Sequence, residues 1–378
     1  MRFKYLVLSD IHLGHNINKT HDIVNNLVEF FNTNSRDFKD LDMLCIAGDI
    51  FDRLLTNSSI DYIESMNWLT NLVMWCKDNN VMLRVLEGTP SHDWQQAKLL
   101  SKILDNLQIE IDYKYVNTLL IEKVNKFGIN ILYIPDEYKH DAKETYDEVL
   151  KLLKKHKLNQ VDIAFIHGQF HYQLPMVKLI SSHTEDDYLN IVKYYISVGH
   201  IHTASIYDRI LAQGSFDRLA HGEEEDKGGM LITLDTEKGN SFKFLVNKKA
   251  MIFKTLKFTD ETIDTIVKKI QKISKTYPDK SNIRVISESE AILSKHQNTL
   301  KLNFPNLNIK IEKPKKKEEE YKYKLLEQDI VIDSFSITKD NIEELVLEEL
   351  GNYPLSSDEL CICQSVLAEI LKEEEEYG

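Results

Sequence analysis

Short, nearly continuous apolar runs punctuate the first two-thirds of the chain, and between them apolar residues recur every three or four positions. Runs of that length predict buried strands, and the three-to-four spacing predicts amphipathic helices. Phe3–Ser9, Leu41–Ala47, the alternating Val81–Glu87, Val161–Ile166 and Tyr194–Val198 are the expected strands. His21–Phe31, Ser59–Asp78, Gln95–Leu107 and Ala142–His156 are the expected helices. Asn117–Val124 and Ile129–Ile134 flank Phe127-Gly128 and predict a hairpin. Further strands run to about Asn247, so residues 1–250 read as a layered α/β domain.

From about Met251 the elements shorten. Strands at Met251–Phe258, Asn282–Ser287 and Leu307–Glu312 alternate with helices at Glu261–Ser274 and Glu290–Leu300, which makes residues 251–312 a small α+β module. Residues 313–337 open with Lys313-Pro314-Lys315-Lys316-Lys317 and Glu318-Glu319-Glu320, a charged linker. Residues 338–378 hold two amphipathic helices, near Lys339–Leu350 and Ser356–Lys372, separated by Gly351 and Pro354. Their apolar faces (Ile342, Leu345, Val346; Leu360, Val366, Leu367, Ile370) require a partner surface.

Composition narrows the setting. No apolar run approaches the ~18–20 residues that cross a bilayer, so no membrane is expected. Phe3–Ser9 is a strand-length run ending on Asp10 rather than a signal peptide. Cys45, Cys76, Cys361 and Cys363 have neither zinc spacing nor disulfide density. A reducing, cytoplasmic setting is expected. Of the net charge of −13, residues 338–378 carry −10, from twelve Asp/Glu against two Lys. The preceding 337 residues are therefore nearly balanced, and a DNA partner stays admissible.

The chemistry sits at the strand ends. Asp10 and His12, Asp49, Ser91-His92-Asp93, His167, and His200 with His202 each follow an expected strand. Singly, each has an ordinary reading: Asp49 as a helix cap, His167 as a satisfied core histidine, Asp10-Ile11-His12 as a turn. Together, in a parallel-rich sheet, they converge on one rim, where open α/β sheets bind ligands. Carboxylates and imidazoles there suit manganese, iron or zinc, and a carboxylate such as Asp49 can bridge two cations ~3.5–4 Å apart.

In this order the residues resemble the calcineurin-like metallophosphoesterases, whose motifs run D-x-H, G-D-x-x-D, G-N-H-D/E, H and G-H-x-H. They stand here as Asp10-Ile11-His12, Gly48-Asp49-Ile50-Phe51-Asp52, a modified third motif, His167, and Gly199-His200-Ile201-His202, over roughly residues 1–235. Gly214-Ser215-Phe216-Asp217-Arg218 and Glu223-Glu224-Glu225-Asp226-Lys227-Gly228 are similar to a segment of the SbcD branch, the DNA double-strand-break repair and recombination nucleases. The short, divergent chain looks most like a phage recombination endonuclease subunit.

The resemblance implies an α/β/β/α sandwich carrying a capping domain and C-terminal helices. It implies two divalent metal ions, manganese first. Asp10, His12, Asp49 and His202 would hold one, and Asp49, His167 and His200 the other. His92 would sit beside the scissile phosphate, with Asp93 orienting its ring. In Gly88-Thr89-Pro90-Ser91-His92 the family's metal-ligating Asn is missing, and Ser91 is expected in its place. The implied activities are 3′-to-5′ exonuclease on double-stranded DNA and endonuclease on single strands. The implied partners are an SbcC-type ABC ATPase with a coiled coil, bound by residues 338–378, and a second copy of the chain, paired through Ser59–Asp78 and Gln95–Leu107. The host cytoplasm is the expected location if the chain is phage-encoded. The alternatives are a small-substrate phosphoesterase and a non-catalytic scaffold that tethers DNA ends.

Overall fold

A computed structural model describes residues 1–136, 141–174, 181–258, 262–287 and 298–312. Strands β1 (Arg2–Leu8), β2 (Met43–Ala47), β3 (Met82–Leu86) and β4 (Tyr113–Val116) alternate with helices α1 (Thr20–Thr33), α2 (Ile60–Asp78), the short α3 (Pro90–Asp93) and α4 (Leu99–Leu107). Next come β5 (Leu120–Val124), β6 (Ile129–Ile134), α5 (Ala142–His156), β7 (Ile163–His167), α6 (Glu185–Ile191) and β8 (Ile196–Gly199). The short β9 (Ser205–Tyr207) and β10 (Ile210–Ala212) precede β11 (Gly228–Asp235) and β12 (Ser241–Val246).

Two six-stranded sheets result, ordered β12-β11-β1-β2-β3-β4 and β5-β6-β7-β8-β10-β9. Side chains alternate across a strand, and here both alternating sets are apolar. Leu6, Leu8, Leu44, Ile46 and Leu83 pack with Ile23, Leu27, Leu69 and Leu72 of α1 and α2. Tyr5, Val7, Met43 and Cys45 pack with Ile131, Tyr133, Ile163 and Phe165 of the second sheet. Leu132, Ala164 and Ile166 turn the other way, onto Val149 and Leu153 of α5 and Tyr188 of α6. The order of layers is α/β/β/α. Burial on both faces explains why these strands read as unbroken apolar runs.

The parallel pairs bring strand ends level. Leu8 is in register with Ile46, Ala47 with Leu86, and His167 with Gly199. Each chain segment leaving these ends therefore starts from the same rim.

Two differences from the expected elements matter. The helix expected over Gln95–Leu107 begins only at Leu99, after a 3-10 turn at Gln96–Lys98. Trp94 and Gln95 are left-handed (φ 47° and 53°), because the Glu87 carboxylate draws in the Gln95 N–H (2.7 Å). In addition, β4 adds an edge strand beside β3.

The following module has a parallel sheet of β13 (Phe253–Phe258), β14 (Asn282–Ser287) and β15 (Asn308–Glu312), with α7 (Ile263–Ser274). Its core is its own: Phe258, Ile266, Ile270, Ile283, Val285 and Ile309. Arg218 donates to the carbonyls of Ala250 and Met251 (3.3 and 3.4 Å), and the Met251 N–H donates to buried Asp217 (2.6 Å), so Asp217-Arg218 pins the junction. Most of the helix expected at Glu290–Leu300, the charged linker and both helices of residues 338–378 lie outside the described residues. No helix among the described residues is long and apolar enough to cross a membrane.

Candidate metal centre

Gly48 ends β2 with φ +89°, and a side chain there would overlap the His167 ring, its Cβ falling 2.0 Å from Nδ1. Gly88, after β3, leaves equally little room, since a Cβ would lie 2.1 Å from the Asp49 backbone nitrogen. The two bare positions let the strand ends of both sheets close on one point.

Asp10, His12, Asp49 and His200 themselves have φ of 51°, 55°, 51° and 96°. The left-handed region costs an L-residue about 1–2 kcal/mol, and strain of this kind gathers at functional sites. Backbone bonds hold it in place: the Asp10 N–H donates to the Gly48 carbonyl (3.1 Å), and the Ile11 and His12 N–H groups donate to the Asp49 carbonyl (2.8 and 3.1 Å). The His200 N–H donates to the Asp10 carboxylate (3.0 Å).

Around this frame three groups of side chains bring ligand atoms within 4.8 Å of one another: Asp10, His12 and His202; His12, Asp49 and His92; Asp49, His167 and His200. Asp49 is common to the last two. Its Oδ2 lies 3.7 Å from His12 Nε2 and 3.1 Å from His92 Nδ1, and its Oδ1 lies 3.4 Å from His167 Nε2.

Three of the rings are locked from behind. His167 Nδ1 meets the Ala47 carbonyl at 2.7 Å, and since a carbonyl only accepts, Nδ1 carries the proton and Nε2 faces the centre. His12 Nδ1 donates to Asp52 (3.1 Å) and His202 Nδ1 to Glu223 (3.0 Å). Glu223 is itself paired with buried Lys227 (3.0 Å). Such backing carboxylates fix the tautomer of metal-binding histidines and raise their basicity.

Electrostatics follow from burial and the shared carboxylate. Burial alone would raise Asp49, but the charge and hydrogen bonds of His167, then His92 and His12, hold it far below the usual carboxylate range. Conversely, burial lowers His167, yet Asp49 lifts it above its ordinary value. The Asp49 bond raises His92, and Glu223 outweighs burial to raise His202. Burial, then the His167 ring, pushes His200 down.

These residues fit a divalent cation. His12 Nε2 is buried, faces Asp49 and has no hydrogen-bond partner. A buried polar atom without a partner is costly, and imidazole nitrogen among carboxylates is a first-row metal donor set.

Two expected roles change. Ser91 is exposed, in the short α3. Thr89 stands inside instead, its N–H donating to Asp49 Oδ1 (2.6 Å) and its hydroxyl 3.3 Å from Asp49 Oδ2. Pro90 and Ser91 begin α3, which follows Thr89 beyond the end of β3. Asp93 does not orient His92, whose Nδ1 faces Asp49. It is fully buried and accepts the N–H groups of Asp49, Phe51 and Gly88 (3.1, 3.0 and 2.8 Å), clamping two loops together. Burial, then Asp49 and Glu87, pushes its carboxyl up, while three donors with no acceptor opposite are the surroundings of a carboxylate.

Sequence reasoning left Asp52, Glu223, Thr89 and Asp136 without roles. The first three lie within the very stretches singled out above. Asp136 follows β6, and its Oδ2 lies 3.1 Å from the Thr89 hydroxyl and 3.8 Å from His200 Nδ1.

No family model matches the sequence, and no curated protein does. A solved crystal structure is similar over 65% of this chain and 100% of its own, at 11% identity and a TM-score of 0.39. That likeness is too slight to bear on the site.

Proposed function

We propose that this protein is a two-metal phosphodiesterase acting on DNA, a calcineurin-like nuclease of the SbcD branch. The observation that carries this reading is Asp49, a single buried carboxylate with histidine nitrogens facing both of its oxygens. Asp10, His12, Asp49 and His202 would hold one ion, and Asp49, His167 and His200 the other, with manganese the first choice for so mixed a donor set. Such a pair of cations supplies Lewis acidity for water and neutralises charge on the phosphoryl oxygens.

The remaining work falls to the chain. His92 is 36% exposed at the mouth while its Nδ1 holds Asp49 (3.1 Å), so its far nitrogen is free to meet a phosphate oxygen. The Asp49 bond favours the protonated ring. His92 would stabilise charge developing on the phosphate or protonate the leaving 3′ oxygen. Asp52 and Glu223 would keep His12 and His202 aimed, and Asp93 would hold the Asp49 and Gly88 loops at fixed separation.

Action on DNA ends, 3′-to-5′ on duplex and endonucleolytic on single strands, belongs to the same reading, with an SbcC-type ATPase bound by residues 338–378. A homodimer through α2 and α4 is supported by exposed Ile63 and Met74 of α2 (51% and 39%), three turns apart on one face, and by Leu107 of α4 (52%).

The test is cleavage of linear duplex DNA with manganese by wild type and His92→Ala. Loss of cleavage in the variant supports the nuclease. Hydrolysis of a small phosphodiester without DNA cleavage would favour a small-substrate enzyme, and no His92-dependent cleavage of either would favour a DNA-tethering scaffold.

A further inference from the structure

We infer that Trp94, which closes α3, is a stacking platform for an unpaired base of the strand whose phosphate enters the metal centre. This rests on the nuclease reading and deepens it by naming where a nucleobase is held. Trp94 is 55% exposed, although burial of so large a ring is strongly favourable. Its backbone is left-handed (φ 47°, ψ 31°), where a bulky L-residue is an outlier. Neither feature stabilises the fold, and a glycine would make the same turn without strain. Strained residues of this kind gather at binding and active sites.

The turn is held firmly while the ring is left out. The Trp94 N–H donates to the Pro90 carbonyl (3.2 Å), and the indole N–H donates to the Ser91 carbonyl (2.8 Å), which fixes the direction of the ring. Behind it, Glu87 accepts the Gln95 N–H (2.7 Å), and the Gln96 amide donates to the carbonyls of Arg53 and Asp93 (3.0 and 3.2 Å). A ring fixed in advance loses little freedom on binding.

Place and charge select the ligand. Trp94 lines a cleft of about 680 Å³ with Pro90, Ser91, Gln95, Asn117 and Pro135, within the ~300–1,000 Å³ of small-ligand sites. Glu87 and Asp136 also line it, and Asp136 lies 3.8 Å from His200, so the cleft adjoins the metal centre. Two carboxylates in the wall disfavour a phosphate there, which leaves the base as the part of a nucleotide that fits. Ser91, Gln95 and Asn117 are exposed and polar, suited to the edge of a base rather than to an apolar protein face. His92 stands in the same turn as Trp94, so the ring addresses a nucleotide next to the phosphate that His92 meets.

Tryptophan fluorescence of the full chain in manganese, titrated with a nuclease-resistant phosphorothioate oligothymidylate, tests this. Trp68 is buried and Trp75 packs against Phe31 and Phe38, so the exposed indole is that of Trp94. The expected result is quenching on binding, and an affinity about 5–150-fold weaker in Trp94→Gly, the size of one base–aromatic stack. Trp94→Gly suits the left-handed turn and should keep the wild-type urea midpoint, while Trp94→Phe, which keeps a ring, should recover most of the affinity. An abasic strand of the same length should bind wild type and Trp94→Gly alike. Equal affinity of these two proteins for oligothymidylate would overturn the platform and leave the nuclease reading standing. If Trp94→Gly also fails to dimerise in sedimentation while binding the strand as wild type does, the ring belongs to a protein contact and the platform falls. Binding of neither strand by wild type would overturn the platform and the DNA reading together.

Discussion

Asp52 offers the sharpest test of how the first site is built. It accepts the His12 Nδ1–H at 3.1 Å, which leaves His12 Nε2 aimed at Asp49 with no hydrogen-bond partner. His12 is 2% exposed and Asp52 19%, so water does not readily replace this bond. Burial raises Asp52, but the His12 bond and charge outweigh it and hold the carboxyl below its ordinary value, so Asp52 is ionised at neutral pH. Removing a carboxylate behind a metal-binding histidine weakens the metal by about 10–100-fold, or about 1.4–2.8 kcal/mol. Asp52→Ala loses both the tautomer lock and the charge and should reach the upper part of that range. Asp52→Asn keeps an acceptor and should stay near the lower end. Manganese titration by calorimetry reads the first site, and the site around His167 should keep its affinity. Urea unfolding of the metal-free proteins separates a lost ligand from a lost fold. Affinity within twofold of wild type in Asp52→Ala would refute the argument.

Other outcomes follow from the same geometry. Thr89→Asn should tighten the second manganese site severalfold by offering an amide oxygen, whereas Ser91→Asn, on the exposed side of α3, should change nothing; the reverse pattern would restore Ser91 to the site. Asp49→Asn should weaken both metals and His167→Ala mainly one, and equal losses in both would remove Asp49 from its bridging place. Arg84, 1% exposed on β3, is held by Glu122 of β5 through two bonds of 2.9 Å and by Asp112 at 2.8 Å. Glu122→Ala leaves this buried cation with Asp112 as its one remaining carboxylate and should cost up to about 3 kcal/mol, read as a lower urea midpoint. Burial raises Glu122, but Arg84 and Lys114 outweigh it and hold it below its ordinary value of 4.5. Its contribution is therefore full above pH 4.5 and lost as pH falls through the lower folded value. Wild-type stability should drop in that acid range more steeply than that of Glu122→Ala; parallel curves would count against the pair.

Much of this architecture can be read from the order of residues alone. Strands buried on both faces must be apolar throughout, so Met43–Ala47 and Ile163–His167 announce themselves. Parallel strands deliver their ends to one rim, so Asp10, His12, Asp49, His167, His200 and His202 could be gathered into one site before any coordinates. What local pattern cannot encode is contact between distant segments. Arg84 interrupts an apolar strand, and only the neighbouring sheet supplies Glu122 to make its burial tolerable. Asp93 follows His92 and looks like its partner, yet the left-handed turn at Trp94 and the pull of three backbone N–H groups carry it into the core. Ser91 matches the missing ligand by its place next to His92, but α3 starts at Pro90 and turns it outward, leaving Thr89 at the strand end. Asp136 has no motif around it and meets Thr89 and His200 only because β6 ends beside β7 at the rim. Sequence alone therefore determined the layers, the rim and the kinds of ligand, because these depend on burial and strand direction. Which side chains meet around Asp49 was decided by tertiary structure, because that depends on loops whose paths are set by bonds between residues far apart in the chain.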